Sequence, residues 1–163
     1  MKKLGVEITR EALAYTASMV FDAPCALVWK IYTDPALVHR WWGPARHQIV
    51  VDKMDVRVGG EWRFLMKHKD GQDLGFSGVY KEVLAPHKLV HTFVFEPDPS
   101  AVSLESLTFE AMPDGRTKFV SRSSVDSEKN LGAIVSDGME GGALETFERL
   151  AELIRTEMTK ISG

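Results

Sequence analysis

MEGGALETFERLAELIRTEMTK, residues 139–160, carries the pattern that decides the fold. Leu144, Phe147, Ala151, Ile154 and Met158 recur at alternating steps of three and four, which places them on one side of a 3.6-period helix. Leu150, Leu153 and Ile161 widen that stripe. Glu145, Glu148, Arg149, Glu152, Arg155 and Glu157 take the opposite, solvated side, with Glu145 and Arg149 on neighbouring turns. Burying each large side chain is worth ~1.5–3 kcal/mol before conformational entropy is counted. A helix so long and so continuously striped must lie along one broad apolar surface. The rest of the chain reads as the sheet that supplies it.

Seven segments upstream alternate with period two. The first is Leu13 to Phe21, and Leu4, Val6 and Ile8 offer a short edge strand before it. Two short helices follow. One holds Leu27, Val28, Ile31 and Tyr32, capped by Asp22 or Ala23, with Pro24 in its first turn and Asp34-Pro35 ending it. The other runs from Pro35 to about Trp41 and stops at Gly43-Pro44. From His47 to Val125 the period becomes two. Val50, Met54, Val56 and Val58 share a face, Gly59-Gly60 forces a bulge or tight turn, and Trp62, Phe64 and Met66 alternate up to the hairpin signal Asp70-Gly71. Phe76, Gly78 and Tyr80 come next, then Leu89, His91, Phe93 and Phe95. Val102 to Ala111 follows, where the apolar phase shifts between Leu104 and Leu107 and predicts a bulge. Asp114-Gly115 turns into Thr117 to Val125. Ser127 with Asp126 can cap a short helix to about Val135. Short turns between so many strands demand an antiparallel meander. The expected fold is α+β: a curved antiparallel sheet of about seven strands wrapped around the C-terminal helix, in one domain over residues 1–163.

Composition narrows the function. The 20 Lys and Arg against 23 Asp and Glu give a formal net charge of −3 with no basic face, which argues against nucleic acid. No apolar run reaches the ~18 residues of a membrane span, so no membrane insertion is expected. The single Cys25 has no internal disulfide partner, and a reducing, cytoplasmic setting fits. Cys25 reads as a buried small hydrophobe.

A helix over a concave sheet does not easily fill the concavity, so a ligand pocket follows from the fold. Trp62, Phe64, Phe76, Tyr80, Phe93, Phe109 and Phe119 can all face one side of the sheet, as ordinary core or as the walls of an apolar cavity. Trp41 and Trp42 are adjacent. Only one of them is expected to point inward, the other standing at a loop near the pocket mouth or a partner surface. Asp55 and Arg57, on one strand face, read as a salt bridge. His39, His47, His68, His87 and His91 have no metal spacing, because Pro86 removes the helical geometry that would align His87 with His91. There is no G-x-S-x-G, Walker A or G-x-G-x-x-G motif. Glu61, Glu96, Glu110 and Tyr80 are candidates for acid–base work if they reach a cavity, but no catalytic constellation, metal site or cofactor is indicated.

Several motifs together resemble one family. Phe21-Asp22-Ala23-Pro24, Val28-Trp29, Thr33-Asp34-Pro35, Arg40-Trp41-Trp42-Gly43-Pro44, Asp55 to Trp62, Gly78-Val79-Tyr80 with Glu82, and Pro86 with Leu89-Val90 look like bacterial proteins similar to the C-terminal domain of the heat-shock-protein-90 ATPase activator. Gly138-Met139-Glu140 with Gly142, Glu145 and Arg149-Leu150 resembles that family's ending. The resemblance runs from about Leu13 to Ile154. It implies the START-like (SRPBCC) superfamily, its helix-grip fold and a hydrophobic cavity between sheet and helix. The superfamily includes lipid and hormone binders, polyketide cyclases and aromatases, and chaperone regulators. A chaperone activator of this kind is expected to carry an additional N-terminal domain, for which 163 residues leave no room. Many members have a tryptophan after the glycine opening the last helix. Here Gly142-Ala143 stands instead, and a wider pocket mouth is expected.

The expected function is binding of a small apolar, aromatic or lipid-like ligand. The ligand-binding set is Trp41, Trp42, Trp62, Phe64, Phe76, Tyr80, His91, Phe93, Phe109, Phe119, Gly142 and Phe147. Two alternatives stand beside it: an enzyme of cyclase or hydrolase type using pocket carboxylates, Tyr80 or His91, and a chaperone-associated ATPase regulator acting through its surface. Polar groups converging in the cavity favour the enzyme, and an exposed Trp41–Trp42 patch favours the regulator. The partner is a small hydrophobic ligand, or a chaperone in the regulator reading, and the protein is a monomer or a homodimer.

Overall fold

The computed structural model of the protein describes residues 7–11, 13–68, 71–100, 102–125 and 139–162. Eight strands form one antiparallel sheet in the order β1-β2-β8-β7-β6-β5-β4-β3. They are β1 Glu7–Glu11, β2 Ala14–Phe21, β3 Gln48–Met54, β4 Glu61–Lys67, β5 Asp73–Leu84, β6 Lys88–Phe95, β7 Ser103–Ala111 and β8 Thr117–Ser124. Strand β1 is an edge element that overlaps the expected one at Ile8, while Leu4 and Val6 lie outside the described residues. From β3 to β8 each strand pairs with the next, as short turns require, and β8 then closes onto β2. The connection from β2 to β3 holds helix α1, Cys25–Thr33, and a short 3₁₀ turn, Val38–Arg40. The second expected helix is therefore one tight turn. Pro24, in extended backbone, takes the N-cap position of α1 with no side-chain cap bond, so neither Asp22 nor Ala23 caps it. The helix expected near Ser127 to Val135 lies outside the described residues.

The long helix α2 runs Met139–Ser162. Phe147, Leu150, Ala151, Leu153 and Ile154 are buried, with Leu144 and Met158 packed at the margin of the core. Phe147 meets Phe119 of β8 edge-on at 5.8 Å. Phe119 in turn contacts Phe21 and Phe109, so the centre of the molecule is an aromatic stack between α2, α1 and strands β2, β7 and β8. Cys25 is buried at the start of α1, where its thiol donates to the Phe109 carbonyl.

Two expectations about register change. Strand β7 carries no bulge: it pairs without interruption from Leu104↔Ser124 to Ala111↔Thr117 on one side and from Lys88↔Thr108 to Phe93↔Ser103 on the other. Ser103, Leu107 and Phe109 are buried with that regular parity, and Leu104 is turned out, 42% exposed. The observed register shifts lie between Val51 and Lys53 in β3 and between Tyr80 and Glu82 in β5. The second difference concerns Asp55 and Arg57. They sit beyond the end of β3, not on a strand face, and Arg57 Nε donates to Asp55 Oδ2 at 2.7 Å in an exposed loop. That loop folds back because Gly60 N–H reaches Arg57 O, and Gly59, at φ 85°, donates to Tyr80 O.

Candidate functional site

The inner faces of β4 to β7 supply most of a cavity of about 100 Å³, partly open to solvent. Alternation along β4 sends Trp62 and Phe64 inward, alternation along β6 sends Leu89, His91 and Phe93, and Tyr80 comes from β5. Tyr32 of α1 and the Trp41–Trp42 pair form the facing wall. Trp62 contacts Phe64 at 4.9 Å, His91 at 5.3 Å and Phe93 at 5.7 Å. Its indole Nε1 donates to Thr92 O at 3.2 Å, which fixes the ring against the wall.

Seven of the twelve expected ligand residues line this cavity: Trp41, Trp42, Trp62, Phe64, Tyr80, His91 and Phe93. Phe109, Phe119 and Phe147 fill the aromatic stack of the core instead, and Phe76 packs behind Trp42 and Phe93. Gly142 lies inside α2, less than one turn from its start, and what surrounds it is outside the described residues. Among the described residues α2 contributes nothing to the lining. The space is covered, among the described residues, by Tyr32 of α1 and the Trp41–Trp42 loop, while Phe147 of α2 packs on Phe119 of β8.

Both tryptophans face the cavity, contrary to the expectation that only one turns in. The 3₁₀ turn ends at Arg40 and the backbone at Trp41 is no longer helical (φ −133°), so the adjacent side chains diverge onto two walls. Trp41 is 2% exposed and lies on Tyr32 at 4.7 Å, while Trp42 meets Phe64 and Phe76 at 5.2 and 5.0 Å. The Trp41 indole N–H is buried without a hydrogen-bond partner.

A polar row crosses this apolar wall. Tyr80, His91, Glu105 and Ser123 stand opposite one another on β5, β6, β7 and β8. Glu105 lines the cavity, and burial pushes its carboxyl up to about 7 even though the Ser123 hydroxyl donates to it. The residue as a whole is half-buried, but its Oε2 is fully buried and unpartnered. Burial drives His91 the other way, down to about 4, and keeps the imidazole neutral. His91 Nδ1 lies 2.9 Å from Thr92 O, and a carbonyl only accepts, so the ring proton sits on Nδ1 and Nε2 keeps a lone pair. Burial raises the Tyr32 hydroxyl first and foremost, with the nearby Glu105 adding to it, and burial also raises Tyr80. Both phenols stay protonated at neutral pH.

Glu105 is the cavity-lining carboxyl that sequence reasoning missed. The bulge expected between Leu104 and Leu107 obscured its side of the strand, and regular pairing turns it inward. The carboxylates that were proposed lie elsewhere. Glu61 is exposed and pairs with Lys53 at 3.3 Å; Glu96 is held by Arg63 through two bonds of 2.8 and 2.9 Å; Glu110 is exposed on β7. Of that set only Tyr80 reaches the cavity. Among the described residues no group of three His, Cys, Asp or Glu side chains is placed to hold a metal ion, and no helix is long and apolar enough to cross a membrane.

Residues 22–155 match the family model described as Activator of Hsp90 ATPase homolog 1-like protein. Among solved structures, a protein from Mycobacterium smegmatis superposes with a TM-score of 0.80 at 26% identity, over 91% of this chain and 96% of that one. A protein from Arthrobacter aurescens gives a TM-score of 0.82 at 25% identity, over 92% and 91%. A third, from Rhodobacter sphaeroides, shares the fold with a TM-score of 0.85 at 18% identity, over 93% and 99%. No curated protein matches the chain. With the family model spanning most of its length and the sheet gripping α2 as the motifs imply, the chain belongs to the Activator of Hsp90 ATPase homolog 1-like family, on the START-like helix-grip fold.

Proposed function

We propose that this protein binds a small, largely apolar molecule in the cavity between Tyr32, the Trp41–Trp42 loop and the inner face of β4 to β7. The fold commonly binds hydrophobic ligands, and the observation that carries the reading here is the unfilled space of about 100 Å³ walled by aromatic side chains. Protein interiors are otherwise close-packed, so a space of this size left open beside buried rings calls for an occupant. It is smaller than the ~150 Å³ that encloses a benzene molecule. The ligand therefore seats one small group inside and extends its remainder through the opening. Three tryptophans in the wall make their own emission the readout. Titration with benzyl alcohol should shift tryptophan emission saturably, and Leu107→Phe, which adds a ring to the cavity lining, should abolish the shift while the protein stays folded. No saturable shift with any small aromatic would remove the reading.

Catalysis of cyclase or hydrolase type is the second reading. Convergence of Glu105, His91, Tyr80 and Tyr32 on one cavity favours it, because a carboxyl near 7 is suited to acid–base work at neutral pH. The regulator reading, to which the family's description points, asks for an exposed aromatic patch, whereas Trp41 is buried and Trp42 half-buried, both in the cavity lining.

A further inference from the structure

We infer that the cavity selects a protonated amine, whose ammonium group is received by Glu105 against the aromatic wall. The inference rests on the binding reading above and names the chemistry of its ligand. Glu105 lines the cavity, its Oε2 is a buried acceptor with no partner, and the described lining includes no Lys or Arg. Buried carboxylates are ordinarily paired. His91 offers a second acceptor, since its Nδ1–H is taken by Thr92 O and its Nε2 lone pair remains. Around these acceptors stand Trp41, Trp42, Trp62, Tyr32, Tyr80, Phe64 and Phe93, whose ring faces attract a cation. A group that donates hydrogen bonds, carries positive charge and is small enough for the enclosed volume matches all three features. An ammonium does so, with its apolar body lying towards the opening.

Tyr15 of β2 lies beyond Ser123 in the same cross-strand row as Glu105. Among the described residues, the titratable groups that line the cavity with Glu105 are His91 from β6, Tyr32 from α1 and Tyr80 from β5. None of these changes charge between pH 5 and 8: burial holds His91 neutral down to about 4, and both phenols are raised. Among the described lining residues Glu105 alone titrates there, so an ammonium arriving below neutrality must displace its proton.

The test compares benzylamine with benzyl alcohol, nearly equal in size, by calorimetry on the full chain. At pH 8 benzylamine should bind about 10- to 100-fold more tightly, the range expected for hydrogen bonds to a charged group. That advantage should shrink as pH falls to 5, and Glu105→Gln should remove it while benzyl alcohol still binds. Should Glu105→Gln fail to fold, the wild-type protein suffices: repeating the titration at pH 6 in buffers of different ionisation enthalpy should reveal release of nearly one proton per amine bound, and none at pH 8. Equal affinities for the two probes, or no proton release at pH 6, would overturn the inference and leave the cavity reading standing. Failure of both probes to bind would remove the cavity reading itself.

Discussion

The Arg149 guanidinium donates to the Gly43 carbonyl at 2.6 Å, tying the long helix to the loop that carries both cavity tryptophans. The same side chain reaches Trp42 O and His39 O at 3.3 Å, and one turn earlier Glu145 Oε2 accepts from Ala45 N–H at 2.9 Å. Arg149 and Glu145 thus clamp the stretch from His39 to Ala45, around which the backbone bonds are short turns, among them Trp42 N–H to Val38 O and His47 N–H to Pro44 O. Their place on the outer side of the helix stripe had suggested only solvated charges. Burial lowers the Arg149 pKa, but an arginine keeps its charge at any working pH.

Arg149→Ala should therefore cost ~1.5–3 kcal/mol, the usual value of hydrogen bonds to a charged group. Tryptophan emission should shift to the red as Trp41 and Trp42 gain solvent. Arg149→Lys should restore little of either, because a single ammonium cannot span three carbonyls. An unchanged melting temperature together with an unchanged emission maximum would show the clamp to be dispensable.

Glu105 and His91 make stability depend on pH in opposite senses. Between about 4.5 and 7 the unfolded chain releases the Glu105 proton while the folded chain retains it, so stability falls as pH rises. Between about 6.5 and 4 the unfolded chain protonates His91 while the folded chain resists, so stability falls as pH drops. Each effect amounts to at most ~3 kcal/mol, and over the shared range they largely cancel. Denaturant titrations of Glu105→Gln should show stability climbing from pH 4.5 to 6.5. Those of His91→Gln should show it declining over the same range. Parallel profiles for the two variants would mean that one of these groups is solvated.

Gly78 stands opposite Trp62 on β4. A Cβ at this position would come within 1.9 Å of Thr92 O and 2.5 Å of Trp62 Nε1, and the carbonyl is backbone that cannot step aside. Gly78→Ala should destabilise the protein by ~1–3 kcal/mol, as overpacking does. It should also weaken benzyl alcohol binding by displacing Trp62 from the wall. A variant as stable as wild type would show that β5 and β6 can separate at this point.

Glu96→Gln is the matching negative case. The Arg63–Glu96 pair is partly exposed, which limits its worth to at most ~1 kcal/mol. Stability should drop by less than that, and affinity for benzylamine and benzyl alcohol should not change. A large loss of amine affinity would place Glu96, not Glu105, at the ligand.

The sequence by itself determined the seven alternating strands, the first helix and the long C-terminal helix, and their order. The α2 stripe and the period-two segments are local consequences of burying apolar side chains on one face, and each is visible within ten to twenty residues. The same logic placed Trp62, Phe64, Tyr80, His91 and Phe93 on the inner face. The tertiary structure alone decided which inner residues enclose space and which polar groups join them. Leu104 attracted the apolar phase of β7, yet unbroken pairing with β6 and β8 turns it to solvent and brings Glu105 inside. A register held along both edges of a strand outweighs the burial of one leucine, and no window on a single strand contains the neighbours that hold it. Arg149 meets Gly43 across 106 residues of chain for the same reason: hydrogen-bond partners so far apart are chosen by how the helix docks, not by anything beside them in sequence.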